Sequence, residues 1–197
     1  MKRIVLLLAV LLLGAGYTMA QDNKAAEKAA KEAAKEAKKA EKAAKKAAEE
    51  AENQMWYAKA IQALSDKQFV LEADRVEFKR GQFAYVTPST NFVAMEGDKA
   101  IIQLAFNGPA SGPNGIGGIT VEGNASNVEM KTDKKGNITF SMMVQGIAVS
   151  ANVSLRLMQG SNKCTATVSP NFNSNRVSFT GNLYPEDESK VFKGRSL

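Results

Sequence analysis

The stretch NITFSMMVQGIAVSANVSLRLMQGSNKCTATVS, residues 137–169, decides the fold class. Ile138, Phe140, Met142 and Val144 alternate with Thr139, Ser141, Met143 and Gln145. Beyond Gly146, Ile147, Val149, Ala151, Val153, Leu155 and Leu157 alternate with Ala148, Ser150, Asn152, Ser154, Arg156 and Met158. Side chains along a strand point to opposite faces with a period of two, so the pattern makes one buried face and one wet face. A helix would scatter the same residues around its circumference. A tight turn at Gln145-Gly146 would set Val144 against Ile147 and Met142 against Val149. Gln-Gly is not a preferred hairpin pair, so a bulge in one longer strand is the other reading.

Working outward, the same grammar covers the rest of the domain. Strands are expected at 68–73, 76–78, 83–85, 91–95, 100–106 and 119–132. Arg80-Gly81 makes a hairpin with Phe78 opposite Phe83, and Gly97-Asp98 suits a II′ turn with Glu96 facing Lys99. The apolar phase of 119–132 shifts between Ala125 and Val128, which places a bulge near Ser126-Asn127. Asp133-Lys134-Lys135-Gly136 closes onto Ile138, and Gly160-Ser161-Asn162 turns the chain into 163–169. The last strand carries Val177, Phe179, Gly181 and Leu183, and the polar tail from Tyr184 is expected to wrap over one end.

Nine or ten short strands joined by hairpins make an all-β antiparallel meander, either a lipocalin-like barrel or a β-sandwich. A barrel of this size can enclose one small ligand. In that case Ile138, Phe140, Met142, Val149, Val153 and Leu155 would line an apolar pocket; otherwise they fill the core.

Ahead of the sheet lie three different segments. Residues 1–20 have the layout of a secretory signal peptide: Lys2 and Arg3, an apolar run from Ile4 to Leu13, and small residues ending in Thr18-Met19-Ala20. The apolar run is shorter than the ~20 residues of a spanning helix, so cleavage is expected, with no membrane span afterwards. No cysteine sits at the junction, so the lipoprotein route is closed. Residues 21–54 are an Ala/Lys/Glu-rich spacer without Gly or Pro, in which pairs such as Glu27–Lys31 and Glu41–Lys45 support a single long N-terminal α-helix. Ala29, Ala40 and Ala51 fall eleven apart, a stripe too small to drive a strong coiled coil. The composition resembles the alanine-rich helical domain of Tol-type periplasm-spanning proteins. From 55 to 65 the helix turns amphipathic, with Trp56, Tyr57, Ala60, Ile61, Ala63 and Leu64 on one face, and is expected to dock on the β domain, 66–197.

The totals exclude many chemistries. The chain has 197 residues, no histidine and one cysteine, Cys164. Without histidine the usual proton shuttle and commonest metal ligand are missing. Cys164, on the phase of Ala166 and Val168, is expected buried and inert. The net charge of +6 is spread evenly: segments 1–20, 21–65 and 66–197 each carry an excess of two cations. That is no footprint for nucleic acid. The acids of the β domain, among them Glu72, Glu77, Asp98, Glu122 and Asp133, sit on turns or the wet face, so no catalytic dyad is expected. Nothing calls for a metal or another cofactor, and the chain reads as a non-enzyme.

One loop stands out, NGPASGPNGIGG at 107–118. Glycine-rich backbone can present N–H groups to an anion. A phosphate-binding P-loop would need Gly-Lys-Ser/Thr opening a helix, and here Ile119-Thr120-Val121 opens a strand. Asn107, Gly108, Gly112, Asn114, Gly115 and Gly117 are the candidate ligand contacts, against the plainer reading of a rim loop.

Several stretches, in order, carry a family resemblance: DKQFVLEADRVEFKRG (66–81), GPNGIGGITVEGNASN (112–127), KTDKKGNITFSM (131–142), VSPNFNSNRVSFTG (168–181) and VFKGRS (191–196). Over residues 60–197 the chain resembles the secreted Bacteroidetes proteins grouped as domain-of-unknown-function family 4251. The resemblance implies an envelope location and an all-β domain, and brings no catalytic or binding residue. The expected function is therefore an exported, non-catalytic binding or interaction protein, periplasmic or extracellular, whose partner is a small apolar ligand or an envelope protein. The alternatives are a structural spacer in the periplasm and, last, a hydrolase.

Overall fold

The computed structural model describes residues 22–106, 112–147, 149–172 and 175–196. Residues 1–21, and with them the expected leader, lie outside that set. The helix α1 (Asp22–Asp66) precedes β1 (Gln68–Phe78), β2 (Phe83–Tyr85), β3 (Phe92–Glu96), β4 (Lys99–Ala105), β5 (Gly118–Thr132), β6 (Ile138–Gly146), β7 (Ser150–Leu157), β8 (Lys163–Pro170) and β9 (Val177–Pro185). Neighbouring strands pair antiparallel, and β9 returns to β1. Strands β1 and β3 to β9 thus close into an eight-stranded barrel. The short β2 pairs with the half of β1 that β3 leaves uncovered. Closure leaves the eight strands no free edge, which decides for a barrel over a sandwich.

The chain forms two compact units, Met1–Ala47 and Ala48–Leu197. In the first, every side chain from residue 30 onward is exposed, as a helix of Ala, Lys and Glu should be. In the second, the last turns of α1 pack against one end of the barrel. Ala60, Ala63 and Leu64 are buried in the barrel core, with Tyr57 and Ile61 packed against it. Full burial of Leu64 alone contributes about 2 kcal/mol. The Tyr57 phenol donates to the carbonyl of Gly136 in the β5–β6 turn. Trp56 meets Tyr184 of β9 edge-on, ring centroids 5.4 Å apart, and Lys59 reaches Glu188 at 2.7 Å. The helix stops where Lys67 turns left-handed at φ 56°, its N–H bonding the Leu64 carbonyl, and β1 follows at once.

The barrel interior is made by the alternation read from the sequence. Residues 138, 140, 142 and 144 of β6 and 151, 153, 155 and 157 of β7 are all buried. In an eight-stranded ring, β1 and β6 stand four places apart in both directions, on opposite walls. Phe69 of β1 and Phe140 of β6 nevertheless touch, edge to face, with centroids 5.3 Å apart. Two side chains span the lumen at that level, and Ile138, Phe140, Met142, Val153 and Leu155 are core. Val149, expected among them, lies half-buried in the β6–β7 connection instead. At the other end Phe78 stacks toward Phe106 with a centroid distance of 6.0 Å.

The bulge expected in β5 is present between Ser126 and Glu129, with Asn127 at φ 52°. Glu96 faces Lys99 across Gly97, as the II′ reading requires. Three registers differ. The expected break near Asp74 is a bulge inside one continuous strand: Ala73 faces Gly181, Arg75 faces Thr180, and Asp74 is skipped. Gly181 is needed there, because a Cβ would sit 1.9 Å from the Glu72 carbonyl oxygen. In the first hairpin Phe83 faces Glu77, and Phe78 bonds Gln82 instead. Gly81, left-handed at φ 78°, makes the loop one residue longer than a two-residue turn. The third difference is the β6–β7 turn, where Gln145 faces Ser150 and Val144 faces Ala151. Neither a tight turn nor a bulge forms at Gly146, and Ile147, expected inside, stands at the tip.

Candidate functional site

The most elaborate side-chain arrangement lies on the outer wall of β1, β4 and β5, under the C-terminal tail. The tail does not wrap over an end. It runs along the wall from Ser189 to Ser196, and the wall's polar residues hold it. Ser189 Oγ and the Lys190 N–H both donate to Glu72 Oε1, at 2.7 and 3.3 Å. The Phe192 N–H bonds the Ser89 carbonyl at 2.7 Å. Beneath, Val70, Phe92 and Ala94 form a second apolar cluster that Ile101 and Val191 help to cover.

Gln103 is the centre of this wall. It is fully buried, on the outward phase of β4. Its Nε2 donates to the carbonyls of Thr90 (3.0 Å) and Phe192 (2.7 Å). Its Oε1 accepts from the Gly194 N–H (2.7 Å) and the Thr120 hydroxyl (2.9 Å). An amide has two donors and two acceptor sites, and all four are used. Asn91 continues the network, its Oδ1 accepting from the Ala105 N–H at 2.8 Å.

The glycine-rich loop joins the same network. Its residues Asn107 and Gly108 lie outside the described set. Gly112, Gly115 and Gly117 have φ of 61°, 79° and 88°, which curl the chain around Asn114. Asn114 is buried; its Oδ1 accepts from the N–H groups of Ile116 and Gly118, and its Nδ2 donates to the Leu104 carbonyl and Thr120 Oγ1. The N–H groups of Asn114 and Gly115 bond Gly118 and Gly112 within the loop. These four backbone donors face inward, and the Asn114 carbonyl takes the Arg195 N–H of the tail at 3.1 Å. The described half of the loop is a folded connection locked to the tail.

Several carboxylates are likewise committed. Glu122 binds Lys193 and Ser196 of the tail. The Lys193 hydrogen bond holds its carboxyl below the usual glutamate range, against the opposing effect of partial burial. Asp133 is depressed first by the Asn137 side chain, and its Oδ1 accepts from the N–H groups of Lys135 and Asn137, capping the β5–β6 turn. Glu77 pairs with Arg75 and Asp98 with Lys67. Among the described residues no carboxylate bonds another, and none gather with a thiol into a metal-ligand group of three. Burial pushes the Cys164 thiol up to about 12.

Outside the tail the wall is shallow. A depression of about 230 Å³ over β6, β7 and β8 is bordered by Ser141, Asn152, Ser154, Thr167 and Ser169. These are small hydroxyl and amide groups on strand faces, suited to contact more than to chemistry. The tail strap was missed by sequence reading. Its one signal was Gln103, a polar residue inside the apolar run AIIQLA.

A family model described as "Domain of unknown function (DUF4251)" matches residues 51–183. The chain is also similar to a crystal structure, at 1.95 Å resolution, of a DUF4251 family protein from Bacteroides eggerthii DSM 20697. Identity is 47%, the match covers 75% of this chain and 99% of that one, and the TM-score is 0.63. No curated protein matches.

Proposed function

This chain belongs to the DUF4251 family, a domain of unknown function, and from that premise we propose that it is an exported, non-catalytic interaction protein of the bacterial envelope that works from the outside of its barrel. The observation that carries the reading is the contact of Phe69 with Phe140 across the lumen, at 5.3 Å between opposite walls. Inward space at that level is taken by the protein's own rings, and the end of α1 covers that mouth. The committed carboxylates, the chain's lack of histidine and the inert thiol support a role without chemistry. The leader-like residues 1–20 support export.

A spacer role for the first unit is compatible with this reading and is supported by the exposed helix over residues 30–47. The test is photo-crosslinking in the native host, with the probe at outward positions such as Ser154 and Tyr85. The reading expects adducts with envelope components. It fails if all outward positions stay uncrosslinked while a small molecule copurifies with the barrel.

A further inference from the structure

The two ends of the barrel differ in chemistry. At the end covered by α1 the connections carry Asp98, Asp133 and Glu186 to Glu188, with Lys134 and Lys135. At the opposite end the connections β1–β2, β4–β5, β6–β7 and β8–β9 (79–82, 106–117, 147–149 and 171–176) hold no acid at all. They hold Lys79, Arg80 and Arg176 instead. Arg80 and Arg176 are exposed, and neither makes an ion pair with a described residue.

The same end exposes large apolar side chains. Ile147 at the β6–β7 tip is 96% exposed and Phe172 in the β8–β9 connection 66%. On the short β2 that follows the β1–β2 turn, Phe83 and Tyr85 are 57% and 80% exposed. Their rings stack edge to face at 5.8 Å, with the Arg75 guanidinium 5.7 Å above Phe83. Single exposed apolar residues are ordinary, but here they share one end with guanidinium groups that pair with no described residue, and with connections that carry no acidic residue.

We infer that this end of the barrel docks on an anionic lipid surface. Ile147 and Phe172 enter the headgroup boundary, while Arg80 and Arg176 pair with lipid phosphates. Apolar wedges alone would serve a protein partner as well. The connections carry no acid, and the nearby strand acids Glu77 and Glu122 are neutralised by Arg75 and Lys193. That balance favours a partner of uniform negative charge, and a phosphate-bearing bilayer supplies it over an extended plane. The inference deepens the exterior reading above and rests on it. A small molecule found in the barrel would remove that reading without bearing on the lipid result.

The test uses residues 21–197, since the apolar leader would bind lipid by itself and the barrel unit lies within Ala48–Leu197. Cosedimentation is measured with vesicles of phosphatidylcholine alone and of equal parts phosphatidylcholine and phosphatidylglycerol. Binding is expected on the anionic vesicles, weakening with added salt. Arg80→Gln and Arg176→Gln should each lower partitioning about fivefold at low salt. Ile147→Ser combined with Phe172→Ser should lower it more than about tenfold. These sites are exposed, so thermal midpoints should not move. Orientation is read with brominated lipid: a tryptophan introduced by Ile147→Trp is quenched, while Trp56, at the helix-covered end, is not. Equal binding to both vesicle types, unaltered binding by the three rim variants, or quenching of Trp56 would overturn the inference.

Discussion

Replacing Phe140 by alanine probes the lumen directly. Phe140 is 2% exposed and faces Phe69, fully buried on the opposite wall. If the barrel is filled at this level, truncation removes a ring and leaves a void that closed β-walls cannot collapse into. The expected loss is about 3–5 kcal/mol, the range for buried Phe→Ala. With a urea m-value of about 2 kcal/mol/M, the unfolding midpoint falls by roughly 2 M. A cycle with Phe69→Ala should add a coupling of about 0.5–1.5 kcal/mol for the edge-to-face pair. The void would be apolar and dry, so Phe140→Ala should gain binding of benzene or xenon that the parent lacks. Xenon-induced NMR shifts, read alongside urea titration, check both. A loss under about 1 kcal/mol, or xenon in the parent barrel at this position, would refute the reasoning.

Other outcomes follow from the wall and the core. Gln103→Leu removes four hydrogen bonds, two of which join β4 to the tail at Phe192 and Gly194, and should cost about 1–3 kcal/mol and open residues 189–196 to limited proteolysis. Glu122 has a depressed folded-state pKa, so its contribution is present above the ordinary value of 4.5 and lost as pH falls through the lowered one. The stability gap between the parent and Glu122→Gln should accordingly be open at pH 7 and close in acid, as measured by urea midpoints across pH. Cys164, 2% exposed with its thiol pushed up to about 12, should ignore a thiol reagent in the native barrel and react only on unfolding.

The strand pattern was legible because one side of every barrel strand meets the core and the other meets water. Residues 138 to 157 display that in bare alternation, and the outward bulge at Asn127 shows as a phase shift. Registers at turns were less legible. Ile147 continues the apolar phase of β7, yet the hairpin closes at Gln145 and Ser150, and periodicity carries no information on where a loop begins. Closure itself was open, because the pairing of β1 with β9 joins residues 99 to 116 positions apart and leaves no local trace. For the same reason the tail strap was invisible: Gln103 and Gly194 are remote in sequence, and one polar residue in an apolar strand does not name its partner. The glycine-rich loop drew attention for its φ freedom. The described part spends that freedom on wrapping Asn114, and loop composition alone cannot distinguish such self-satisfaction from an anion nest.

The central claim is that the barrel is filled and works from its exterior. Native mass spectrometry of residues 21–197, purified from the host envelope, tests it most directly. The account predicts the bare polypeptide mass once labile lipid adducts are stripped by collisional activation. A small molecule retained at fixed stoichiometry until the barrel unfolds would contradict it.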